Sequence, residues 1–254
     1  MRILLLGHNG YLGSYLYNNI KADTLEGRIL YNNGKEYDYV INCVGKADLE
    51  YCETNVELTN YSNWLIVEDI IKYYPTAKII NFSSYYVYDG DGLNNEYSPV
   101  TKEYAYTNQK LNAEALIKNG VSLRLGKLFG NGLAKQHKLT EYIILNNDLI
   151  LDNVMFNPTS VEEVLKVVKF ELSQNKLFGL YNLSNIGYIS HYEYGVKINE
   201  LLGTNKNIMR IDKTARAFHN YGKFLMDVSK LNSIIPLVNW EIDMNKFLKN
   251  NKVC

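Results

Sequence analysis

Three side chains in this 254-residue sequence have the types and the order needed to reduce a carbonyl. The apolar run Lys78–Phe82 leads into Ser83-Ser84-Tyr85-Tyr86-Val87-Tyr88, which puts a serine hydroxyl at the carboxyl end of a strand. Tyr106 and Lys110 follow four residues apart, so a helix presents both on one face. A substrate oxygen there would accept hydrogen bonds from Ser84 and Tyr106, a nicotinamide would deliver hydride to carbon, and Tyr106 would give up its proton. A free phenol titrates near ~10, too high for rapid proton transfer, and the ammonium of Lys110 is expected to favour phenolate and draw the pair towards neutrality. The spacing alone is not selective. It occurs at Tyr17/Lys21, Tyr31/Lys35, Tyr74/Lys78 and Tyr106/Lys110, and only the last pair follows the serine-bearing strand at the start of a long amphipathic helix; packing or surface tyrosines account for the others.

The cofactor such chemistry needs has a matching turn near the amino end. Gly7-His8-Asn9-Gly10-Tyr11-Leu12-Gly13 follows an apolar strand and opens a helix, the context a dinucleotide-binding turn must have. Gly7 allows the tight turn, Gly10 lets backbone N–H groups approach a pyrophosphate, and Gly13 lets helix and strand pack closely. The helix amino terminus adds partial positive charge. Contacts to the cofactor are therefore expected from Gly7, Asn9, Gly10, Tyr11, Leu12 and Gly13. Farther on, the apolar run Arg28–Tyr31 could form the second or third strand. It ends in Asn32-Asn33, where an acidic residue usually grips the ribose diol of NAD, and only Lys35 offers charge nearby. Asn32 is thus assigned to the adenosine end, and NADP(H) is favoured over NAD(H).

Positioning these groups requires an α/β fold. Short apolar runs at Arg2–Leu6, Tyr39–Cys43, Lys78–Phe82, Val121–Leu125 and Leu149–Leu151 alternate with helical patterns at Tyr11–Ile20, Glu57–Tyr73, Lys102–Lys118, Lys138–Leu145 and Val161–Leu172. That alternation predicts a doubly wound parallel sheet with helices on both faces, a Rossmann fold. After Leu172 the elements shorten: a strand at Leu180–Leu183, then helices at His191–Leu202 and Met244–Lys249. The expected division is a dinucleotide-binding domain over 1–172 and a smaller substrate lobe over 173–254, helped by 126–137. Zero formal charge with mixed signs argues against nucleic acid. No apolar run is long enough for a signal core or a membrane span, and three cysteines and four scattered histidines give neither a disulfide framework nor metal spacing. A cytoplasmic protein without metal is expected.

With glycine turn, serine strand and Tyr106/Lys110 in that order, the chain resembles an extended short-chain dehydrogenase/reductase, most closely the dTDP-4-dehydrorhamnose reductase branch, along nearly its whole length. Ser83 to Tyr88 is similar to that branch's catalytic strand end, with Ser84 as the hydroxyl and Tyr85 and Tyr86 facing substrate. Asn42-Cys43-Val44-Gly45 resembles the run that lines the cofactor, which implies contacts from Cys43, Val44 and Gly45 as well as from Tyr106 and Lys110. Glu50 to Asn63, Asn157-Pro158-Thr159 and Gly179-Leu180-Tyr181-Asn182 match further marks of the branch. In Arg124-Leu125-Gly126-Lys127-Leu128-Phe129 the fourth position implies that Lys127 meets the nucleotide-sugar. Between Gly13 and Asn42 the chain is shorter than in that branch, so a strand–helix unit around adenosine is expected to be missing or cut down.

The resemblance implies reduction of a nucleotide-linked 4-keto-6-deoxy sugar on the way to deoxysugars of surface polysaccharides or glycans. A 4,6-dehydratase would need an acid pair where Tyr85 and Tyr86 stand, and a reductase that also epimerises, like GDP-fucose synthases, would need a cysteine where Tyr86 stands. A nucleotide-sugar 4-epimerase is the alternative enzyme, although the shortened pocket suits tight NAD retention poorly. A regulatory or binding subunit that keeps the fold without turnover, as in the methionine adenosyltransferase regulatory subunit, is the alternative outside catalysis. The resemblance also implies a homodimer paired through Glu57–Tyr73 and Lys102–Lys118.

Overall fold

Four-residue runs of apolar side chains with no polar alternation can be buried only when both faces of a sheet are covered. In the computed structural model, which describes residues 1–25, 29–89, 92–132, 139–212 and 224–250, the strands Ile3–Leu6, Tyr39–Asn42, Lys78–Ser84 and Gly120–Leu125 are buried at every position. With Gly179–Leu183 they form a five-stranded, all-parallel sheet in that order. Alternate side chains feed two cores. Leu5, Ile41 and Ile80 join Leu16 of the first helix, Tyr11–Asn19, and Val164 and Val168 of the helix Val161–Gln174. Leu4, Leu6, Val40 and Ile79 join Val67 and Ile70 of Ile66–Tyr73 and Ala113 of Ala105–Leu116 on the other face. Each fully buried aliphatic side chain contributes roughly 1.5–3 kcal/mol.

Beyond Ile3–Leu6, where a doubly wound sheet would continue, there is one isolated bridge. Leu5 donates to the Asp23 carbonyl and Asp23 donates to the Ile3 carbonyl, each at 2.9 Å. Ile29–Tyr31 forms no strand; Arg28 lies outside the described residues. Among the described residues, this two-bond bridge is all that stands where a second strand and its helix would lie.

Two strands sit elsewhere than the sequence pattern suggested. Gly179–Leu183, expected in the C-terminal lobe, is the fifth strand of the central sheet, pairing Tyr181 with Leu123. The segment around Leu149–Leu151, read as a sheet strand, belongs to the lobe: Asp148–Asp152 pairs parallel with Asn207–Ile211. Leu149 and Leu151 are buried while Ile150 is 58% exposed, the pattern of a strand with only one covered face. The lobe packs helices Leu139–Leu145, His191–Leu202 and Trp240–Asn250 around Phe129, Ile143, Phe156, Tyr194 and Met244. Ser190 and Glu193 close the amino end of His191–Leu202 with a reciprocal capping box. Among the described residues no helix is long and apolar enough to cross a membrane.

The helical pattern Glu57–Tyr73 is one continuous helix in sequence and three segments in space. Val56–Asn60 runs into a π-helical turn, Tyr61–Leu65, before Ile66–Tyr73. A π turn inserts an extra residue per turn and so re-aims the side chains that follow.

The sheet's amino end is bolted by a buried ion pair. The Lys78 ammonium lies 2.6 Å from Glu171, both side chains under a tenth exposed, and donates to the Asn175 side-chain oxygen Oδ1 at 2.8 Å. Glu171 also accepts from the Tyr39 hydroxyl at 3.3 Å and from the Leu177 N–H at 2.7 Å. Glu171→Ala leaves that ammonium buried without its counter-charge, which should cost about 3–5 kcal/mol, read as a lower urea midpoint. A loss under about 1 kcal/mol, the size of an exposed pair, would show that water reaches Lys78.

Candidate active site

The groups singled out by type and spacing meet in one cavity of 340 Å³ at the carboxyl ends of the strands. Its wall includes Leu12, Cys43, Val44, Gly45, Ser84, Tyr85, Tyr86, Tyr106, Lys110 and Lys127. Ser84 closes the strand Lys78–Ser84 and is 6% exposed; its hydroxyl accepts from the Tyr86 N–H at 3.2 Å, capping a short 3₁₀ turn over Tyr85–Val87. That turn stacks the Tyr85 and Tyr86 rings with centroids 4.3 Å apart. Tyr106 and Lys110, 4% and 7% exposed, lie one turn apart on Ala105–Leu116.

Burial pushes the Tyr106 phenol well up, offset only in part by its hydrogen bond with Ser84. Burial lowers the Lys110 ammonium to about 8, against the opposing charge of Glu114. Lys110 Nζ lies 5.9 Å from the Tyr106 ring centroid and donates to the Phe82 carbonyl at 3.1 Å. The expected drift of this phenol towards phenolate is therefore reversed, because desolvation outweighs everything else acting on it. Tyr106 is held protonated, the state an acid needs before it donates.

The glycine turn packs against the same wall. Gly7 has φ +78°, and a Cβ there would stand 2.7 Å from the Cys43 carbonyl carbon. A Cβ on Gly13 would stand 2.0 Å from the Gly7 carbonyl oxygen and 3.2 Å from Cys43 Cβ. These two glycines thus let turn, helix and the Cys43 strand end interlock. Gly10 donates to the Gly7 carbonyl at 2.9 Å and begins the helix with no side-chain cap and no acid in its first turn. This is an exposed amino terminus suited to a pyrophosphate. Asn9 is exposed beside it and does not line the cavity. The Tyr11 side chain turns the other way, donating to the Gly130 carbonyl at 2.6 Å with its ring against Gly132, so only its backbone remains at the turn. A Cβ on Gly45 would come within 3.3 Å of Lys110 Nζ, so that glycine keeps the approach to the ammonium open.

Asn32 does not join this group. It is exposed, its side chain accepts from the Gly34 N–H at 2.8 Å, and it does not line the cavity. Lys35 is paired with Asp23 at 2.9 Å, so neither charge stands clear at the adenosine end. The cause is the missing strand: with no second strand to carry it forward, the segment turns back on itself.

Other residues of the site were not visible in the sequence pattern. The π turn directs Asn63 inward, where it accepts from the Lys46 N–H at 2.8 Å and donates to the Gln109 side chain at 2.7 Å. The loop Gly45–Lys46 is thereby anchored to the catalytic helix. Gln109, buried and next to Lys110, also donates to Thr59 and Asn60 at 3.0 Å each. Ser83 lines the cavity too, its buried hydroxyl without a hydrogen-bond partner. On the lobe side, Lys127 Nζ lies 2.9 Å from His191 Nε2. Among the described residues the lining holds three lysines, Lys46, Lys110 and Lys127, and no carboxylate.

A crystal structure of a dTDP-4-dehydrorhamnose reductase from Clostridium acetobutylicum superposes over 99% of this chain and 100% of its own, with a TM-score of 0.85 at 20% identity. The dTDP-4-dehydrorhamnose reductase of Yersinia enterocolitica covers 98% of both chains with a TM-score of 0.86 at 18% identity. That of Bacillus anthracis, in complex with NADP, covers 98% of this chain and 99% of its own with a TM-score of 0.86 at 17% identity. At these identities the likeness is one of fold. No curated protein sequence matches the chain. The family profile described as the RmlD substrate binding domain matches residues 28–253, and the chain belongs to that family.

Proposed function

We propose that this chain is an NAD(P)H-dependent reductase of a nucleotide-linked 4-keto-6-deoxy hexose, serving the synthesis of deoxysugars for surface polysaccharides or glycans. The observation that carries the reading is the convergence of Ser84, Tyr106 and Lys110 on one cavity beside the glycine turn. When bound, the dihydronicotinamide supplies a hydride. Ser84 and Tyr106 hold the carbonyl oxygen, and Tyr106 transfers its hydroxyl proton to that oxygen as the carbon is reduced, so that ketone becomes alcohol. Lys110 would hold the ribose side of the cofactor, and its ammonium would stabilise the phenolate left on Tyr106 until solvent returns the proton. Tyr85 and Tyr86 supply aromatic surface for the sugar.

NADPH is preferred to NADH in this reading, because the acid at the adenosine end, Asp23, is bound to Lys35 and Tyr37. The NADP carried by the Bacillus anthracis relative supports the class of cofactor. The protein works in the cytoplasm as a homodimer paired through the helices around Val56–Tyr73 and Ala105–Leu116. One observation favours a second reading, a binding or regulatory subunit: the adenosine side is cut down to the Leu4–Asp23 bridge. Calorimetric titration with NADH and NADPH decides between them, since a chain that binds neither cannot be the reductase.

Incubation with NADPH and a panel of 4-keto-6-deoxy nucleotide sugars made in situ, followed by nicotinamide absorbance, should show oxidation with at least one member; none with any would refute the reading. Tyr106→Phe removes the acid and should lower kcat by about 10²–10⁴-fold with cofactor affinity nearly unchanged. Wild-type kcat in that variant would remove Tyr106 from the acid role.

The Lys110 ammonium also has a folding consequence. Its folded pKa, about 8, lies below the 10.5 of an exposed lysine, so the unfolded chain holds more protons between those values and stability should rise with pH across that window. Lys110→Met removes the cost of burying the charge, up to roughly 3 kcal/mol. This variant should therefore melt higher at pH 7 while losing turnover. A lower Tm together with unchanged pH dependence would show that the ammonium is solvated.

A further inference from the structure

Among the described residues, Lys127 is the one lysine of the cavity wall that comes from the lobe side of the site, and its ammonium is held by a chain of side chains from two other elements. Lys127 opens the strand Lys127–Phe129, which pairs with Pro158–Ser160. His191 is the first residue of His191–Leu202, and Asp152 ends the strand Asp148–Asp152. Lys127 Nζ stands 2.9 Å from His191 Nε2, and His191 Nδ1 stands 2.8 Å from Asp152 Oδ1. An ammonium has only donors, so Nε2 must accept from it; the ring proton therefore sits on Nδ1 and is donated to Asp152. This is a neutral imidazole between a cation and an anion, and its place in the first turn of a helix favours that neutral form. The ring packs on Phe156 with centroids 4.9 Å apart, and Lys127 Nζ lies 5.4 Å from the same Phe156 ring. Asp152 is fixed in turn by the Val154 N–H at 3.0 Å. His191 and Asp152 are 16% and 22% exposed, so water competes weakly for these bonds.

Such an arrangement costs side-chain entropy and desolvation that a solvated surface lysine avoids. What it achieves is a fixed cation at a chosen point of a cavity whose lining, among the described residues, contains no carboxylate. We propose that Asp152 and His191 are positioning residues that hold Lys127 as a clamp for an oxyanion of the substrate. This assignment rests on the reductase reading. The oxyanion is a phosphate or a carboxylate: either the diphosphate that every nucleotide sugar carries, or an acid group on the hexose itself.

The test is calorimetric titration of the full chain saturated with NADP⁺, using UDP, dTDP and GDP, then UDP-glucose, UDP-glucuronic acid and inorganic pyrophosphate. Lys127→Met should weaken binding of the anion by about 10- to 100-fold, the loss of one charge-assisted hydrogen bond, with no change in NADP⁺ affinity. His191→Leu should weaken it about tenfold, and His191→Gln, whose amide oxygen can replace Nε2 as acceptor, should recover most of that loss. Thermal melts of the three variants separate a positioning loss from a folding loss. Equal losses on all nucleotides identify the diphosphate as the anion; a loss confined to UDP-glucuronic acid identifies the sugar carboxylate. Unchanged affinity in Lys127→Met overturns the clamp and leaves the reductase reading standing. An unchanged His191→Leu, beside a weakened Lys127→Met, overturns the positioning roles. If wild type binds pyrophosphate through Lys127 yet neither binds nor reduces any nucleotide sugar, the reductase reading fails and the clamp survives. No anion binding by wild type at all overturns the clamp.

Discussion

The hydrogen bond from the Lys110 ammonium to the Phe82 carbonyl, 3.1 Å long and largely buried, joins the helix that carries Tyr106 to the strand that carries Ser84. Without that link the two halves of the acid site would sit on elements free to shift against each other, and a shift of one ångström is enough to spoil proton transfer to a bound oxygen. The link is expensive because the ammonium is desolvated, which is why its pKa falls to about 8. Part of the cost is offset by Glu114, one turn farther along the same helix and paired with Arg124 at 2.7 Å. The site is thus built at the expense of local stability, as functional sites commonly are.

A second tie holds the same helix from its other flank. The π turn over Tyr61–Leu65 breaks the regular path of the preceding helix, and that break lets Asn63 reach both Gln109 and the Lys46 N–H. A regular α-helix through this region would carry its later side chains about a residue out of phase. Gly45 then opens directly onto Lys110, and Asn63 and Gln109 secure the loop edge there. On the cofactor side the interlock of Gly7, Gly13 and Cys43 does the same for the first turn. Beyond Ile3–Leu6 the described residues add only the Leu4–Asp23 bridge, while the strand ends at Cys43, Ser84 and Leu125 all line the cavity.

Local signals were readable in the sequence and distant ones were not. The central strands are legible because each is short and mostly apolar between helical patterns, and the proximity of Tyr106 to Lys110 follows from one turn of helix. Three apolar residues at Leu149–Leu151 could not reveal whether one face or two would be covered, and Gly179–Leu183 was misassigned for the same reason. The π turn is silent because apolar residues continue on either side of it at helical spacing. Asn32 instead closes its own turn on the Gly34 N–H, because the segment that carries it forms no strand. His191 and Asp152 lie 64 and 39 residues from the side chains they hold, a separation no spacing rule spans.

The electrostatics of the cavity depend on where its counter-charges are kept. Three lysines face inward, and the acids that balance two of them lie outside the wall: Glu114 behind Lys110, tied to Arg124, and Asp152 behind Lys127, screened by the His191 ring. Lys46 is steadied differently, with its ammonium 4.5 Å from the Tyr51 ring centroid, a contact that leaves the charge undiminished. Placing carboxylates on the wall itself would have stabilised the lysines more cheaply and cancelled the field that an anionic ligand meets. Holding them one shell back keeps the lysines charged and the interior positive, and low-dielectric walls concentrate that field on whatever enters. A chain with zero formal charge overall can in this way present a cavity whose described lining carries lysines and no carboxylate.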